Sequence, residues 1–374
     1  NSSTATSDFN SSTATSDFNS STTTGNFNSS ATTGNFNNQL GVPLSLSRIG
    51  PQHRAAVIEL GANHVGDIAA LAAWARPTVG VITMAGDAHL EGFGSREAIA
   101  RGKGELIEAL PDDGIAILNA DDPQTPLWTA LAGGRRTVYF GLGPAADVRA
   151  EAGEESTQGL VFRLVTPEGT ATVRLNLVGR HNVRNALAAA AVGHVLGLDT
   201  ATIAAGLADT SGEAGRLRVV AALGGARLAD DSYNANPDSM RAGLDWLAQQ
   251  PGTRWAVLGA MAELGAFSEA AHRDVGAYAA KLRLDGLVVV GEAARSIADG
   301  YGDAEQWLAT PAGAAARLQS KLDAGHTVLV KGSRAAGMEQ VVQALAAAHC
   351  QAVGEVKACP AWSGSSPSLE YSYE

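Results

Sequence analysis

Residues 55–83 read AAVIELGANHVGDIAALAAWARPTVGVIT. An apolar run, AAVIEL (55–60), leads through a turn-rich stretch into a segment with helical character over 67–74. A second apolar run, TVGVIT (78–83), follows. Short apolar runs on either side of a helical segment mark a βαβ unit, whose strands are covered on both faces. The alternation continues outward from there. A helix is expected over 95–110 with Ser95 as its N-cap, then strands in GIAILNAD (114–121) and RTVYFG (136–141). Residues 144–178 have a β-rich texture with a turn at Pro167-Glu168-Gly169, and 182–196 is an alanine-rich helix. A second series starts near Ser211. It runs through a strand end in RLADDSY, a helix over 238–249, a strand in WAVLGAMAELG and a helix over 272–282. The strand GLVVVG (286–291), a helix over 311–322, the strand TVLVKGS (327–333) and a helix over 336–347 complete it. Strands that alternate with helices give mostly parallel sheets. The expectation is an α/β protein with two doubly wound units, at 37–212 and 213–347.

The 374 residues are long enough for two or three domains, and 45% hydrophobic with 17% charged residues suits a substantial core. Net charge is −11, which argues against general binding of nucleic acid or anionic membrane, so any phosphate site must be local. Cys350 and Cys359 both lie near the end and form no disulfide framework, so a reducing cytoplasm is expected. No apolar run reaches the roughly 18 residues that span a bilayer. No basic segment followed by an apolar one marks a signal peptide at the start.

Residues 1–36 are four nine-residue units: NSSTATSDF, NSSTATSDF, NSSTTTGNF and NSSATTGNF. Each has one aromatic residue and no aliphatic side chain larger than alanine. Such units bury too little surface to offset the entropy of ordering, so the first three are expected to be irregular. A β-solenoid is disfavoured by the small number of units and the lack of Asp-Gly calcium chemistry. From Ala348 an irregular tail is expected.

In open α/β sheets, ligands bind beyond the carboxyl ends of strands. Glu59, His89, Asn119, Asp231, Glu263 and Lys331 all fall at or just after such ends. Glu59 and His89 can ligate a hard divalent cation such as magnesium. Lys103 lies between Gly102 and Gly104 on a helix that these glycines weaken by about 1 kcal/mol each relative to alanine. They suggest close approach of another group. Lys103 reads equally as a surface lysine or as a metal-site lysine whose charge has been removed, for example by carbamylation. GRHNVRNALAAA (179–190) sets His181 and Asn182 at a helix start, where they suit a nucleotide or, for Asn182, an N-cap. In DDSYNANPDSM (230–240), turn chemistry alone also accounts for the Asn and Pro residues. VLVKGSRAAGMEQVV (328–342) places Lys331, Ser333 and Arg334 between strand and helix, a local anion site.

These motifs, in this order, resemble the Mur ligase family, and within it the branch that adds D-Ala-D-Ala. The segments that carry the resemblance are TGNFNNQLGVPLSL, AVIELGANHVGDI, AHLEGFGS, GKGELIEALPDDGIAILNADD, GRHNVRNALAAA, DDSYNANPDSM, MAELG and VLVKGSRAAGMEQVV, spread over 33–347. The resemblance implies a central parallel-sheet ATPase domain followed by a Rossmann-like C-terminal domain. It implies an ATP- and Mg2+-dependent enzyme, a cytoplasmic monomer, that joins D-Ala-D-Ala to UDP-MurNAc-tripeptide through an acyl phosphate. By motif position, Glu59 and His89 would hold magnesium and Lys103 would be carbamylated beside a second ion. His181 and Asn182 would contact the nucleotide. Arg216 and Asp231 would reach ATP, with Tyr233 and Asn236 beside them. Lys331, Ser333 and Arg334 would bind the incoming dipeptide or the acceptor carboxylate.

The chain departs from the family's pattern in three places. Ala260 stands where an Asp is expected before Met-Ala-Glu-Leu-Gly. No G-x-x-x-x-G-K-[ST] phosphate loop occurs, and Gly102-Lys103 is followed by Gly104. The N-terminal UDP-binding domain, the first strand of the central domain and the helix after the phosphate loop are expected to be missing, so the central domain reads as incomplete. Two other readings compete. One is a non-catalytic remnant with a dipeptide- or nucleotide-binding surface. The other is a folylpolyglutamate synthase-like enzyme, against which DDSYNANPDSM and VKGSR speak.

Overall fold

The computed structural model describes residues 2–7, 29–32, 36–86, 90–156, 159–303 and 306–353. The run AAVIEL forms a strand buried at every position, as a strand covered on both faces must be. In chain order the first half contains β1 (Ser2–Ser7), β2 (Ser29–Ala31), α1 (Gly41–Ser47), β3 (Ala55–Leu60), α2 (Asp67–Ala75) and β4 (Val79–Ile82). There follow α3 (Leu90–Phe93), α4 (Arg96–Glu108), β5 (Ile115–Asn119), α5 (Thr125–Ala132) and β6 (Arg136–Gly141). The hairpin strands β7 (Val148–Ser156), β8 (Gly159–Thr166) and β9 (Gly169–Leu175) precede α6 (His181–Val195) and α7 (Thr200–Ala208). The nine strands form one sheet in the order β2-β3-β1-β4-β5-β6-β7-β8-β9, parallel up to β7 and antiparallel beyond it.

The second half contains β10 (Arg218–Ala221), β11 (Arg227–Asp231), α8 (Pro237–Ala248), β12 (Thr253–Leu258), α9 (Ser268–Lys281) and β13 (Gly286–Val290). It ends with α10 (Arg295–Tyr301), β14 (Trp307–Leu308), α11 (Pro311–Gln319), β15 (His326–Lys331) and α12 (Glu339–Val353). Its six strands run β10-β11-β15-β12-β13-β14, with only the β10–β11 pair antiparallel. In each half the helices cover both faces, and the apolar core lies as two clusters, one on each side of the sheet.

Two expectations are corrected here. The first repeat unit is not wholly irregular, because Ser2–Ser7 fills the slot between β3 and β4 that was expected to be empty. The physical reason is the ladder. Without a strand in that slot, β3 and β4 would each present unpaired N–H and C=O groups inside the sheet. The Thr- and Ser-rich unit is small enough to complete it. The fourth unit supplies β2 on the other side of β3, and Ser2 and Ser29, which hold the same place in their units, both pair with Ala55. The chain from Ala348 is not irregular at once, since α12 continues to Val353. The rest of the expected tail, and the middle repeat units, lie outside the described residues.

Candidate active site

The carboxyl ends of the first sheet carry Glu59, the penultimate residue of β3, and Asn119, the last of β5. Glu59 is buried. Its Oε1 accepts a hydrogen bond from Asn37 Nδ2 at 3.0 Å, and its backbone N–H donates to Thr32 Oγ1 at 3.0 Å. Asn119 Nδ2 donates to the Thr83 carbonyl at 2.7 Å, which ties β5 to the loop after β4. Lys103 points into this region from α4 and is 3% exposed, with Nζ donating to the Met84 carbonyl at 2.9 Å. A surface lysine is therefore ruled out. The flanking glycines admit close neighbours, as expected: a side chain at Gly102 would strike the Phe93 ring, and one at Gly104 would press on Leu131 and Trp128. Ser95 caps α4 as expected, accepting from Ala98 N at 3.1 Å.

His89 lies outside the described residues. Among the described residues, no group of three or more His, Cys, Asp and Glu could hold a metal ion. Glu59 is a hard oxygen donor of the kind magnesium takes. Lys103 as an ammonium is a donor only, and would fit a metal after conversion to a carbamate.

The second sheet brings Asp231 and Lys331 together. They are the last residues of β11 and β15 and stand opposite each other in the parallel register. Lys331 Nζ lies 2.8 Å from Asp231 Oδ2 and donates to the Asn234 carbonyl at 2.9 Å. Lys331 is 2% exposed, so this cation is spent on an internal pair rather than offered alone to an anion. Arg334 is the exposed cation of the same loop, 4.0 Å from Glu339. Ser333 is buried, and its N–H donates to the Ala260 carbonyl at 2.7 Å.

His181 belongs to the first half but feels the second. Desolvation lowers its pKa, Asp231 acts to raise it, and Lys331 and Arg184 act to lower it. Asn182 is not the N-cap of α6. The cap is Arg180, and Asn182 Nδ2 donates back to the Val178 carbonyl at 2.8 Å from within the helix. Arg216 stacks on the Tyr233 ring at 4.3 Å from its centroid, in the segment that joins the halves. Asn236 caps α8 in a reciprocal pair with Ser239, with Pro237 at the first turn, so turn and cap chemistry accounts for its placement.

Several site neighbours were not singled out from sequence. Asp230, the first Asp of DDSYNANP, is 2% exposed and accepts from Gly215 N at 2.8 Å and from the Ser232 hydroxyl at 2.6 Å. Burial pushes its carboxyl above the usual range, while these donors oppose the shift. Asn37 lies within a quoted segment, but only the tertiary structure brings it to Glu59. Direct contacts also join the halves. Glu91 N donates to the Glu263 carbonyl at 3.1 Å, and Arg96 Nη2 to Asp238 Oδ2 at 3.2 Å.

The family model for the Mur ligase middle domain matches residues 4–193, and that for the Mur ligase glutamate ligase domain matches 215–334. The chain belongs to the Mur ligase family. It is 42% identical over 311 residues to the UDP-N-acetylmuramoyl-tripeptide–D-alanyl-D-alanine ligase of Escherichia coli, covering 82% of this chain and 69% of that one. It is 41% identical over 340 residues to the enzyme of the same name from Mycobacterium tuberculosis, covering 83% and 66%. The chain thus spans about two thirds of the length of these relatives. A MurF structure from Acinetobacter baumannii superposes with a TM-score of 0.83 at 35% identity, covering 91% of this chain and 75% of that one. The MurF ligase of Thermotoga maritima, solved in complex with ADP, gives 0.82 at 27% identity, covering 94% and 81%. A Mycobacterium tuberculosis folylpolyglutamate synthase shares the fold at 17% identity and a TM-score of 0.63. Among the described residues of this Mur ligase family member, no helix is long and apolar enough to cross a membrane.

Proposed function

We propose that this Mur ligase family member is built to join D-Ala-D-Ala to UDP-MurNAc-tripeptide at the expense of ATP, and that its turnover is impaired for want of a phosphate loop. The observation that carries the reading is the Asp231–Lys331 pair at the strand ends of the second half, 2.8 Å apart and close enough to His181 of the first half for both charges to act on its pKa. Ligands of open α/β sheets bind at such strand ends. In the proposed reaction the tripeptide carboxylate takes the γ-phosphoryl group of ATP and ADP leaves. The amine of D-Ala-D-Ala then attacks the acyl carbon, the phosphate departs with the C–O bond electrons, and the nitrogen gives up one proton to solvent or to the departing phosphate. Glu59 and His89 would hold magnesium, with Lys103 as a carbamate beside a second ion. Bound magnesium would neutralise phosphate oxygens. His181, Asn182, Arg216, Asp231, Tyr233 and Asn236 would contact the nucleotide. Ser333 and Arg334 would take the dipeptide or acceptor carboxylate, Arg334 by its forked guanidinium and Lys331 by charge from its paired position. A cytoplasmic monomer fits the reading.

The chain contains no G-x-x-x-x-G-K-[ST] run to cradle ATP phosphates. That observation favours a second reading, a non-catalytic remnant that keeps a dipeptide- or nucleotide-binding surface. Two measurements separate the readings. Calorimetry is expected to detect binding of D-Ala-D-Ala, lost in Arg334→Ala; failure of the unsubstituted chain to bind it would sink the proposed substrate. Phosphate release from MgATP with UDP-MurNAc-tripeptide is expected not to depend on D-Ala-D-Ala. Robust dependence would remove the claim of impairment and the second reading together.

A further inference from the structure

The turn after β12 reads GAMAELG (259–265), with Ala260 where the family resemblance leads one to expect an Asp. Gly259 N donates to the Lys331 carbonyl at 2.7 Å, and Ser333 N donates to the Ala260 carbonyl at 2.7 Å. The turn thus braces both ends of the Lys331–Ser333 segment. Its other end faces the first half, where Glu91 N donates to the Glu263 carbonyl at 3.1 Å. Glu263 sits at φ 59°, a left-handed conformation that a non-glycine residue holds only when its surroundings impose it. Met261 and Leu264 are buried in the second half's core, on which Leu90 of the first half also packs.

One buried side chain holds the middle of this turn. His272, on the first turns of α9, is 1% exposed. Its Nε2 lies 2.8 Å from Met261 N, and its Nδ1 lies 2.7 Å from the Ser268 carbonyl. An amide N–H can only donate and a carbonyl can only accept. The ring is therefore neutral, with its proton on Nδ1 and a bare Nε2. Without it, the Met261 N–H would be buried with no acceptor in that place.

We propose that His272 is a positioning residue: by holding Met261 N it sets the turn 259–265, and through that turn both the Lys331–Ser333 segment and the docking of Glu91 from the other half. For the ligase reaction, this makes His272 a residue that acts on dipeptide binding without touching the dipeptide. That last step rests on the proposed function; the structural coupling does not.

Hydrogen exchange tests the coupling directly. His272→Ala is expected to speed exchange at Met261, Ser333 and Glu91 together by about tenfold or more, while Val275 to Ala279 in α9 keep their protection. His272→Gln, whose side-chain oxygen can accept from Met261 N, should restore most of it. Acceleration at Met261 alone, or at none of the three, overturns the coupling. Should His272→Ala fail to fold, nitrogen NMR of the unsubstituted protein decides the geometry: a proton on Nδ1 is expected, and a proton on Nε2 refutes it. A calorimetric arm separates this inference from the reading it extends. If the unsubstituted chain binds D-Ala-D-Ala and His272→Ala binds it equally well, the positioning role fails while the function stands. If the unsubstituted chain does not bind it, the function fails, and the exchange result still judges the coupling.

Discussion

Asp231 and Lys331 show how one pair of side chains can carry both structure and chemistry. Adjacent registers on β11 and β15 place them opposite each other, and both are largely removed from water. Losing one partner leaves the other's charge buried and uncompensated, which costs about 3 kcal/mol. Asp231→Ala is therefore expected to lower stability by about that amount in urea denaturation, and the double change Asp231→Ala with Lys331→Ala to cost less than the sum of the two. Additive losses would mean that the pair contributes no coupling. These residues were legible in the sequence because both end apolar runs. Their pairing was not, because strand order within a sheet does not follow from periodicity. In the sequence Lys103 reads equally as a surface or a metal-site lysine, and the packing of α4 against Trp128 and Phe93, which buries it, removes the surface reading. Asp230 was passed over because two adjacent carboxylates look alike in a sequence. Alternation along the strand end separates them, one pinning Gly215 and the other meeting Lys331.

At the scale of elements, helix-on-helix approach is set by small residues. α9 and α10 cross closely at Gly276, where a side chain would strike the Ile297 carbonyl and come 2.8 Å from Tyr301 N. Gly276→Ala gains about 1 kcal/mol of helix propensity and yet is expected to destabilise the second half by about 1–3 kcal/mol, since the obstacle is backbone. A raised melting temperature would contradict this. Most strands were readable as apolar runs: Arg136–Gly141 forms where RTVYFG was expected, and the turn at 167–168 closes the hairpin between β8 and β9. Short helices were harder. α1 carries Pro43, α7 has Gly206, and α10 has Gly300, and such residues blur a short periodic signal. The repeat was misjudged for a different reason. Composition says whether a segment can fold by itself, whereas β1 is a strand only because β3 and β4 offer it ladders on both sides.

At the scale of the whole molecule, each half holds a histidine whose pKa desolvation lowers: His181 at the junction, and His272, where only the bond to Ser268 pulls the other way. The sign follows from proton linkage. Unfolded histidine titrates near about 6.5, and both folded pKa values lie lower, so just below that pH the unfolded chain binds more protons than the folded one. Their contribution is complete above about pH 6.5 and is lost as pH falls towards the folded values. The urea midpoint is expected to drop between about pH 7.5 and 5.5, with a shallower drop in His272→Gln; an unchanged midpoint over that range would refute the linkage. The sequence by itself determined the two α/β units, the polar residues that end their strands and the family resemblance, because apolar periodicity and short motifs are local properties of a chain. Only the tertiary structure decided which of those residues meet. It set Asn37 against Glu59, Lys331 against Asp231, His181 within electrostatic reach of that pair and His272 beneath the Met261 turn. It also gave the first repeat unit a place in the sheet. Contacts of that kind depend on strand order and on the packing of distant segments, and no local pattern encodes them.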